Sequence, residues 1–233
     1  MIHSSVYGLI PVALSLLVSA VLSPFEQPPD QEPTWQQTFP AGGLGILNLN
    51  VLNGSIAVEA WDRPEVSARA ILHADLSSSS EARRQIDAIR IDFRPDGSAL
   101  RGEVQGPRPA VDNVSTDFTL RVPRDLTLDL RTASGAISVT GVAAPISLLS
   151  SNGSIAVYNS PGPLTLETSN GSVTVALPAG AGAQLDLLTA SGEVSVPGVA
   201  GGSRTQLTNS LGGGGPLLRV RTANGNIMVA QGP

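Results

Sequence analysis

The chain has 233 residues, a net charge of −5 and no cysteine, which excludes disulfides, thiolate metal sites and a cysteine nucleophile. Only 3% of its residues are aromatic and its basic residues are all arginines, so the basic, aromatic-rich face of a nucleic-acid-binding protein is not expected. Its 41% hydrophobic content and 25 glycines are typical of a β-rich protein with one domain and appended segments.

The N-terminus contains an apolar segment, residues 6–22, which is uncharged and interrupted by Pro11. Its length is at the lower limit for a membrane span, and Val18-Ser19-Ala20 matches a signal-peptide cleavage site. Residues 1–23 are therefore predicted to be either a signal peptide or an N-terminal membrane anchor. The acidic flank that follows predicts that the rest of the chain is exported, to the periplasm, the cell envelope or the extracellular space.

Residues 24–40 are rich in proline, which predicts an extended linker that joins no sheet. Trp35 and Phe39 lie near the end of this segment. We expect both to pack as an apolar plug on the first coil of the domain that follows, residues 41–233.

The first part of that domain, residues 41–125, is irregular and carries most of the charge. Alternating apolar residues predict a strand at Glu65–Ala74, and 81–88 is predicted to be a helix with Ser80 as its N-cap. Further strands are predicted at 89–93, 98–105 and 117–122. We expect this part to open the same coil as the rest of the domain and to cap it against edge-to-edge pairing.

A short pattern recurs from residue 44 onward, in six copies, each centred on a glycine that follows Asn or Ser. In every copy the residues seven and five before the glycine, and two and four after it, are Leu, Ile or Val. This alternation predicts two short strands around a turn, with one face buried. The predicted structural turn positions are Gly54, Gly135, Gly153, Gly171, Gly192 and Gly225, preceded in four copies by Asn53, Asn152, Asn170 and Asn224.

Asn-Gly between alternating strands is also typical of a hairpin, so a meander must be weighed against a coil. A meander would leave one wide aliphatic face uncovered, because the sequence offers only one short helix. A solenoid covers itself, since the inward rows of each coil face one another. The predicted fold is therefore an all-β parallel β-solenoid (β-helix) of short coils, about 18 residues each, regular over residues 126–233. Ser or Thr three residues before most turn glycines is expected to hydrogen-bond along the corner.

One large insertion, residues 197–216, interrupts the regular coils. It is predicted to be a mobile excursion or an irregular coil. Because solenoids often carry insertions on the binding face, a specificity loop is the alternative.

No catalytic, cofactor or metal site is predicted. The histidines are His3 and His73, and His73 beside Asp75 is interpreted as a surface residue rather than part of a triad. The turn residues are neutral, which does not favour a calcium ladder. One outward face is interpreted as solvated ion pairs of Asp125 and Asp129 with Arg124 and Arg131.

The repeated Thr/Ser-x-Asn/Ser-Gly-x-Ile/Val-x-Val unit, the Val122-Pro123 step and the closing RTANGNIMV resemble an adhesin-like family of bacterial domains of unknown function. The resemblance covers residues 41–233. It implies an exported or membrane-tethered, right-handed parallel β-solenoid, and it carries over no catalytic residue.

The sequence therefore predicts a non-catalytic, secreted or envelope-anchored, adhesin-like scaffold module that contacts a cell-surface protein or a glycan, through outward Ser, Thr and Asn. The predicted partners include no nucleic acid, and residues 6–22 are a candidate membrane tether. One alternative is a structural envelope-stress accessory that docks, or self-associates edge to edge, through an uncovered last coil at Asn224–Ala230. The other is a glycan-active β-helix enzyme, which an acidic cluster on one outer face would favour.

Overall fold

The alternating aliphatic residues build strands in a computed structural model that describes residues 34–76, 78–200 and 204–232. The predicted signal or anchor, residues 1–23, and residues 24–33 of the predicted linker lie outside the described residues. The strands are β1 (Thr34–Pro40), β2 (Ile46–Asn53), β3 (Ile56–Trp61), β4 (Glu65–Ala74), β5 (Arg90–Asp96), β6 (Ala99–Gln105), β7 (Val114–Pro123), β8 (Thr127–Ser134), β9 (Ile137–Thr140), β10 (Ile146–Asn152), β11 (Ile155–Tyr158), β12 (Leu164–Asn170), β13 (Val173–Leu177), β14 (Ala183–Ser191), β15 (Val194–Ser195), β16 (Gln206–Leu211), β17 (Leu217–Asn224) and β18 (Ile227–Gln231). The two helices of the described residues are α1 (Ser79–Asp87) and α2 (Arg108–Asn113).

The strands form two nine-stranded sheets. Sheet A has the order β1-β4-β7-β3-β9-β11-β13-β18-β15, and sheet B has the order β16-β14-β17-β12-β10-β8-β2-β6-β5. Each copy of the repeat places the strand before its turn in sheet B and the strand after it in sheet A, and neighbouring copies pair in parallel. This confirms the all-β class with mostly parallel strands and excludes a meander of hairpins for the repeats.

The hydrophobic core lies between the two sheets and consists of rows of aliphatic side chains. Leu148 pairs in register with Leu130 on one side and Leu166 on the other, and all three are at most 1% exposed. The whole row, in spatial order, is Leu49, Leu130, Leu148, Leu166, Val220 and Leu187. The inward and outward positions are therefore those that the sequence alternation predicts.

The coils do not stack in the order of the sequence. The last copy, β17 and β18, lies between the coil of β12 and β13 and the coil of β14 and β15. The expectation that Asn224–Ala230 forms an uncovered last coil is therefore wrong, although β15 pairs only with Ile227 and Met228 of β18. At the other end, the first copy, β2 and β3, is likewise covered by β6 and β7.

The chain reaches this inner position through the insertion at residues 197–216. Strand β16 pairs antiparallel with β14 and buries Leu207 and Leu211, so the segment contains an irregular capping strand. The chain then turns at Gly212, Gly213 and Gly214, whose φ angles are 59°, 83° and 95°. These left-handed angles are readily available only to glycine, and they let the chain pass the start of β14 and enter the stack as β17.

The turn glycines of the six copies stack along one corner of the coil. A Cβ built on any of them would lie 2.0–2.2 Å from the carbonyl oxygen of the residue next to it in the stack. Four of these glycines also have φ between 134° and 156°. Glycine is therefore required at all six positions by the close approach of the backbones, and at four of them also by the left-handed angle that the sequence predicts.

Buried hydroxyls tie neighbouring coils together inside this corner. The Oγ1 of Thr168 donates to the carbonyl oxygen of Gly153, in the adjacent coil, at 2.9 Å. The same bond is made by Thr132, Ser150, Thr189 and Thr222, to Gly54, Gly135, Gly225 and Gly171 respectively. All five hydroxyl residues are at most 6% exposed, and the predicted corner hydrogen bonds are confirmed.

The exposed side of the corner carries an asparagine ladder. The Nδ2 of Asn170 donates to Oδ1 of Asn152, and the Nδ2 of Asn224 donates to Oδ1 of Asn170, both at 2.9 Å. Asn224 continues the ladder directly from Asn170, which favours the observed position of the last copy in the stack.

Aromatic side chains close the end of the core where β1 and β5 form the sheet edges. The rings of Trp35 and Phe39 each stack on Phe93, with centroids 5.4 Å apart. Both residues belong to β1, which pairs antiparallel with β4. The predicted plug is confirmed, but the predicted linker is wrong over Thr34–Pro40, because the alternation of this segment joins it to sheet A.

The helices differ in detail from the predictions. The N-cap of helix α1 is Ser78 rather than Ser80. The side chain of Ser78 accepts a hydrogen bond from the backbone N–H of Glu81. Helix α2 lies between the strands predicted at 98–105 and 117–122, where no helix was predicted, and Pro107 precedes its first residue. In the part of the chain that the structure describes, no helix is long and apolar enough to cross a membrane.

We predict that Thr168→Val lowers the free energy of unfolding by about 1–2 kcal/mol, because it removes the hydroxyl that donates to Gly153. The matched control is Thr165→Val, the same change at an outward position of β12. Denaturant unfolding monitored by circular dichroism measures both. Equal stabilities of the two variants would contradict a structural role for the corner hydroxyl.

Candidate interaction surface

The outward face of sheet B presents two parallel rows of side chains, which occupy the positions six and four residues before each turn glycine and continue onto β6. In-register pairing fixes the order of each row across the strands. The first row is Arg101, Asn48, Asp129, Ser147, Thr165, Arg219 and Asp186, and the second is Glu103, Asn50, Arg131, Leu149, Glu167, Arg221 and Leu188. The sheet therefore holds side chains of different chemistry at a regular spacing of about 4.8 Å.

The end of this face nearest β6 is a polar depression of about 300 Å³. Three of its four charged residues, Arg101, Asp129 and Arg131, form ion pairs on the protein. Arg131 contacts both carboxylate oxygens of Asp129, at 3.1 and 3.2 Å, and the Nε of Arg101 donates to Asp96 at 2.7 Å. The polar side chains that line the depression are Asn48, Asn50, Arg101, Glu103, Asp129 and Arg131.

The opposite end of the face is an apolar depression of about 340 Å³. Leu149 and Leu188 are 37% and 39% exposed, which is unusual for aliphatic side chains of central strands. Ala190 and Ala223 lie beside them, and Glu167 and Arg221 occupy the two strands between the leucines. This half of the face can bury apolar surface of a partner.

Asp186 connects the two outward rows at this end. Its Oδ2 accepts hydrogen bonds from Arg221 at 2.7 Å and from Arg219 at 3.0 Å. These hydrogen bonds, that of Arg221 first, lower the pKa of Asp186 below its ordinary value, and burial only partly opposes them. The three side chains form a fixed charged cluster beside the apolar depression.

The outward face of sheet A is chemically plainer. Its central strands present small side chains, Ala57, Ser138, Ala156 and Thr174, in one in-register row. Tyr158 and Met228 are the exposed large hydrophobic residues of this face among those described. Sheet A therefore offers fewer directional contacts than sheet B.

The ion-pair face predicted from the sequence is present, but only one of its ion pairs joins the residues that were predicted. Arg131 pairs with Asp129 as expected. Arg124 pairs with Asp62, at 2.9 Å, and Asp125 is exposed. Within the described residues, no group of three or more His, Asp or Glu side chains could hold a metal ion.

His73 lies beside Asp117 of β7. Its Nε2 is 3.4 Å from Oδ2 of Asp117, whose Oδ1 accepts hydrogen bonds from the backbone N–H and hydroxyl of Ser55. The carboxylate stands between the serine and the histidine, whereas a catalytic triad needs the histidine in the middle. His3 lies outside the described residues.

The predicted turn residues lie along the corner, where they contact the neighbouring coils, and they do not line an open site. Asn53 is an exception to the asparagine ladder, because its Nδ2 donates to backbone oxygens of Val111 and Asp112 in α2. The candidate contact surface, the two outward rows of sheet B, was not assigned residue by residue from the sequence. The sequence signal for this surface is that the residues six and four before the glycine differ in chemistry from copy to copy. The repeat pattern does not fix the residue type at these two positions.

Two stacked parallel sheets joined at a glycine corner define a protein of the stacked-coil, solenoid-like class. Residues 45–230 match the family model described as Toastrack DUF4097, and the chain belongs to this family. The predicted resemblance to an adhesin-like family of unknown function is thereby supported. A search of curated proteins gave no match.

Solved structures provide a further comparison. The chain is similar to a proposed cell adhesion protein from Clostridium sporogenes, with 12% identity, a TM-score of 0.64, and coverage of 87% of this chain and 100% of that one. A proposed adhesin from Bacteroides fragilis is 7% identical, covers 86% of this chain and 98% of its own, and has a TM-score of 0.31. At 12% identity, the first comparison shows a shared fold.

We predict that Asp186→Asn lowers stability at neutral pH by about 1 kcal/mol, because it breaks the network with Arg219 and Arg221. Since the folded pKa is lowered, this stability is present above the ordinary pKa of an aspartate and is lost as the pH falls through the lowered value. Unfolding free energies of the protein and the variant should therefore converge in acid. The control, Asp125→Asn, should differ little from the parent throughout. A constant gap between the parent and Asp186→Asn would contradict the network.

Proposed function

We propose that the protein is a non-catalytic, adhesin-like interaction module, and that its contact surface is the outward face of sheet B. The observation that carries this proposal is the pair of adjoining depressions on that face, one polar and one apolar. Both lie on strands whose backbones are paired on each side, so their side chains are held without a mobile loop.

The size of the face supports a macromolecular partner. Six coils at about 4.8 Å extend about 29 Å along the coil axis, which is comparable with the width of a standard protein interface of about 800 Å² per partner. The exposed leucines Leu149 and Leu188 supply apolar surface, and the Asp186 cluster supplies a polar rim beside them. We infer a cell-surface protein as the partner of the apolar half.

The charges of the face support a partner without high charge. Asp129, Asp186 and Asp96 each pair with arginine on the protein itself. Paired charges create little long-range attraction, so nucleic acid is not proposed as a partner.

A catalytic role has less support than an interaction role. In the order Ser55–Asp117–His73 the serine donates to the carboxylate, and no histidine that the structure describes is hydrogen-bonded to the serine. Asp92 and Asp129, carboxylates of the sheet B face, pair with Arg94 and Arg131, whereas glycoside hydrolysis needs one carboxylic acid and one carboxylate placed on either side of the substrate.

Docking through the last coil is not proposed again, because β17 and β18 have a neighbouring strand on each side. Export and a right-handed coil remain part of the proposal. Parallel crossover connections are right-handed in most proteins, and cell fractionation with N-terminal sequencing of the native protein tests export.

We predict that Leu188→Asp weakens binding to isolated envelopes of the source cell at least about tenfold, because it places a charge in the apolar depression. The matched control is Met228→Asp, which adds the same charge at an exposed position of sheet A and should leave binding unchanged. Co-sedimentation of each purified variant with the envelopes measures the difference. Equal binding by both variants would contradict sheet B as the contact surface.

A further inference from the structure

The polar depression on sheet B contains two asparagines that the fold does not use. Asn48 and Asn50 have no side-chain hydrogen bond to any residue that the structure describes, although they line the same depression. By contrast, Asn152, Asn170 and Asn224 are joined in the corner ladder. The two carboxamides are therefore available to a ligand.

The position of the two carboxamides is fixed by the sheet. Asn48 and Asn50 are alternate residues of β2, which pairs with β6 on one side and β8 on the other. They lie on one face of the strand, about 6.6 Å apart along it. Each carboxamide presents a donor and an acceptor in one plane, which suits a ligand whose groups both donate and accept, as hydroxyls do.

The charged residues around the asparagines sum to zero. Arg101 and Glu103 lie on the β6 side and Asp129 and Arg131 on the β8 side, with the order of the signs reversed. Because these four charges cancel, they give no net attraction to a phosphate, a sulfate or a cation. Arg101 donates to Asp96 through Nε, and its terminal nitrogens have no partner among the described residues. These nitrogens can therefore donate hydrogen bonds to an uncharged ligand.

A peptide fits this depression less well than a sugar. The backbone of β2 is already paired on both sides, which prevents addition of a peptide strand. The lining side chains are polar apart from Leu49, which is 1% exposed, so an apolar side chain would find nothing to bury against. The remaining ligand class is rich in hydroxyls and uncharged.

We infer that Asn48 and Asn50, framed by Arg101, Glu103, Asp129 and Arg131, form a binding site for a neutral saccharide. The inference rests on the proposed interaction function and gives its polar half a ligand class. Beyond Asp129 the first row continues with Ser147 and Thr165, whose hydroxyls extend the site along the coil axis. A linear oligosaccharide lying across the strands would contact both segments.

The test is an NMR titration of the side-chain amide signals of Asn48 and Asn50. The probes are neutral trisaccharides of glucose, mannose, galactose and N-acetylglucosamine, with a trisaccharide of galacturonic acid as the charged comparison. We expect at least one neutral trisaccharide to shift both amides. By isothermal titration calorimetry with that trisaccharide, we expect the double variant Asn48→Ala, Asn50→Ala to lose at least about tenfold in affinity, and Asn48→Asp to lose affinity through the missing donor.

The matched control is Thr174→Ala on the outward face of sheet A, which should bind the trisaccharide as the parent does. Thermal unfolding should be unchanged in all these variants, since the altered side chains make no structural hydrogen bond. The inference is overturned if no neutral trisaccharide shifts the amides, if binding survives in the double alanine variant, or if only the acidic trisaccharide binds. Envelope binding that persists in the double variant and is lost in Leu188→Asp would leave the proposed function standing while the saccharide site fails.

Discussion

Close approach of the backbone at one corner is the constraint on which the structure depends. Each turn glycine lies so near the carbonyl of its neighbour that no side chain fits between them, and at five of the six contacts a buried hydroxyl donates to that carbonyl. Together these contacts align the coils, so that the strands before and after the turn pair in parallel and the inward aliphatic rows meet. One repeated residue pattern thus specifies both sheets.

The same constraint leaves the outward side chains free to differ. Nothing in the corner or the core restricts the positions six and four before the glycine, because they point away from both. There the chain places amides and ion pairs at one end of sheet B and exposed leucines at the other. Under the proposed function, the contact residues are those that differ between the copies of the repeat, and the stack holds them in place.

The sequence predicts more of each coil than of the assembly. The alternation of apolar residues identified the buried rows, and the constant spacing around the glycine in the six copies identified the corner and its hydroxyls. The stacking order could not be predicted, since the copies around Gly171, Gly192 and Gly225 carry equivalent inward residues and each could stack on any other. The contact between His73 and Asp117 was missed for a similar reason, because it depends on antiparallel pairing of β4 with β7. That Asn48 makes no side-chain hydrogen bond could not be predicted either, because the sequence does not show which asparagines join the ladder.

The most direct test of this account asks which coil lies beside β12. The chain has no cysteine, so introduced pairs report on proximity without background. Thr165 and Arg219 are in-register neighbours, whereas Asp186 lies one strand further away, beyond the roughly 7 Å that a disulfide can span. The observed coil order predicts a disulfide in the variant Thr165→Cys, Arg219→Cys and none in Thr165→Cys, Asp186→Cys. A disulfide only in the second variant would show that the coils stack in sequence order and that β17 does not lie beside β12.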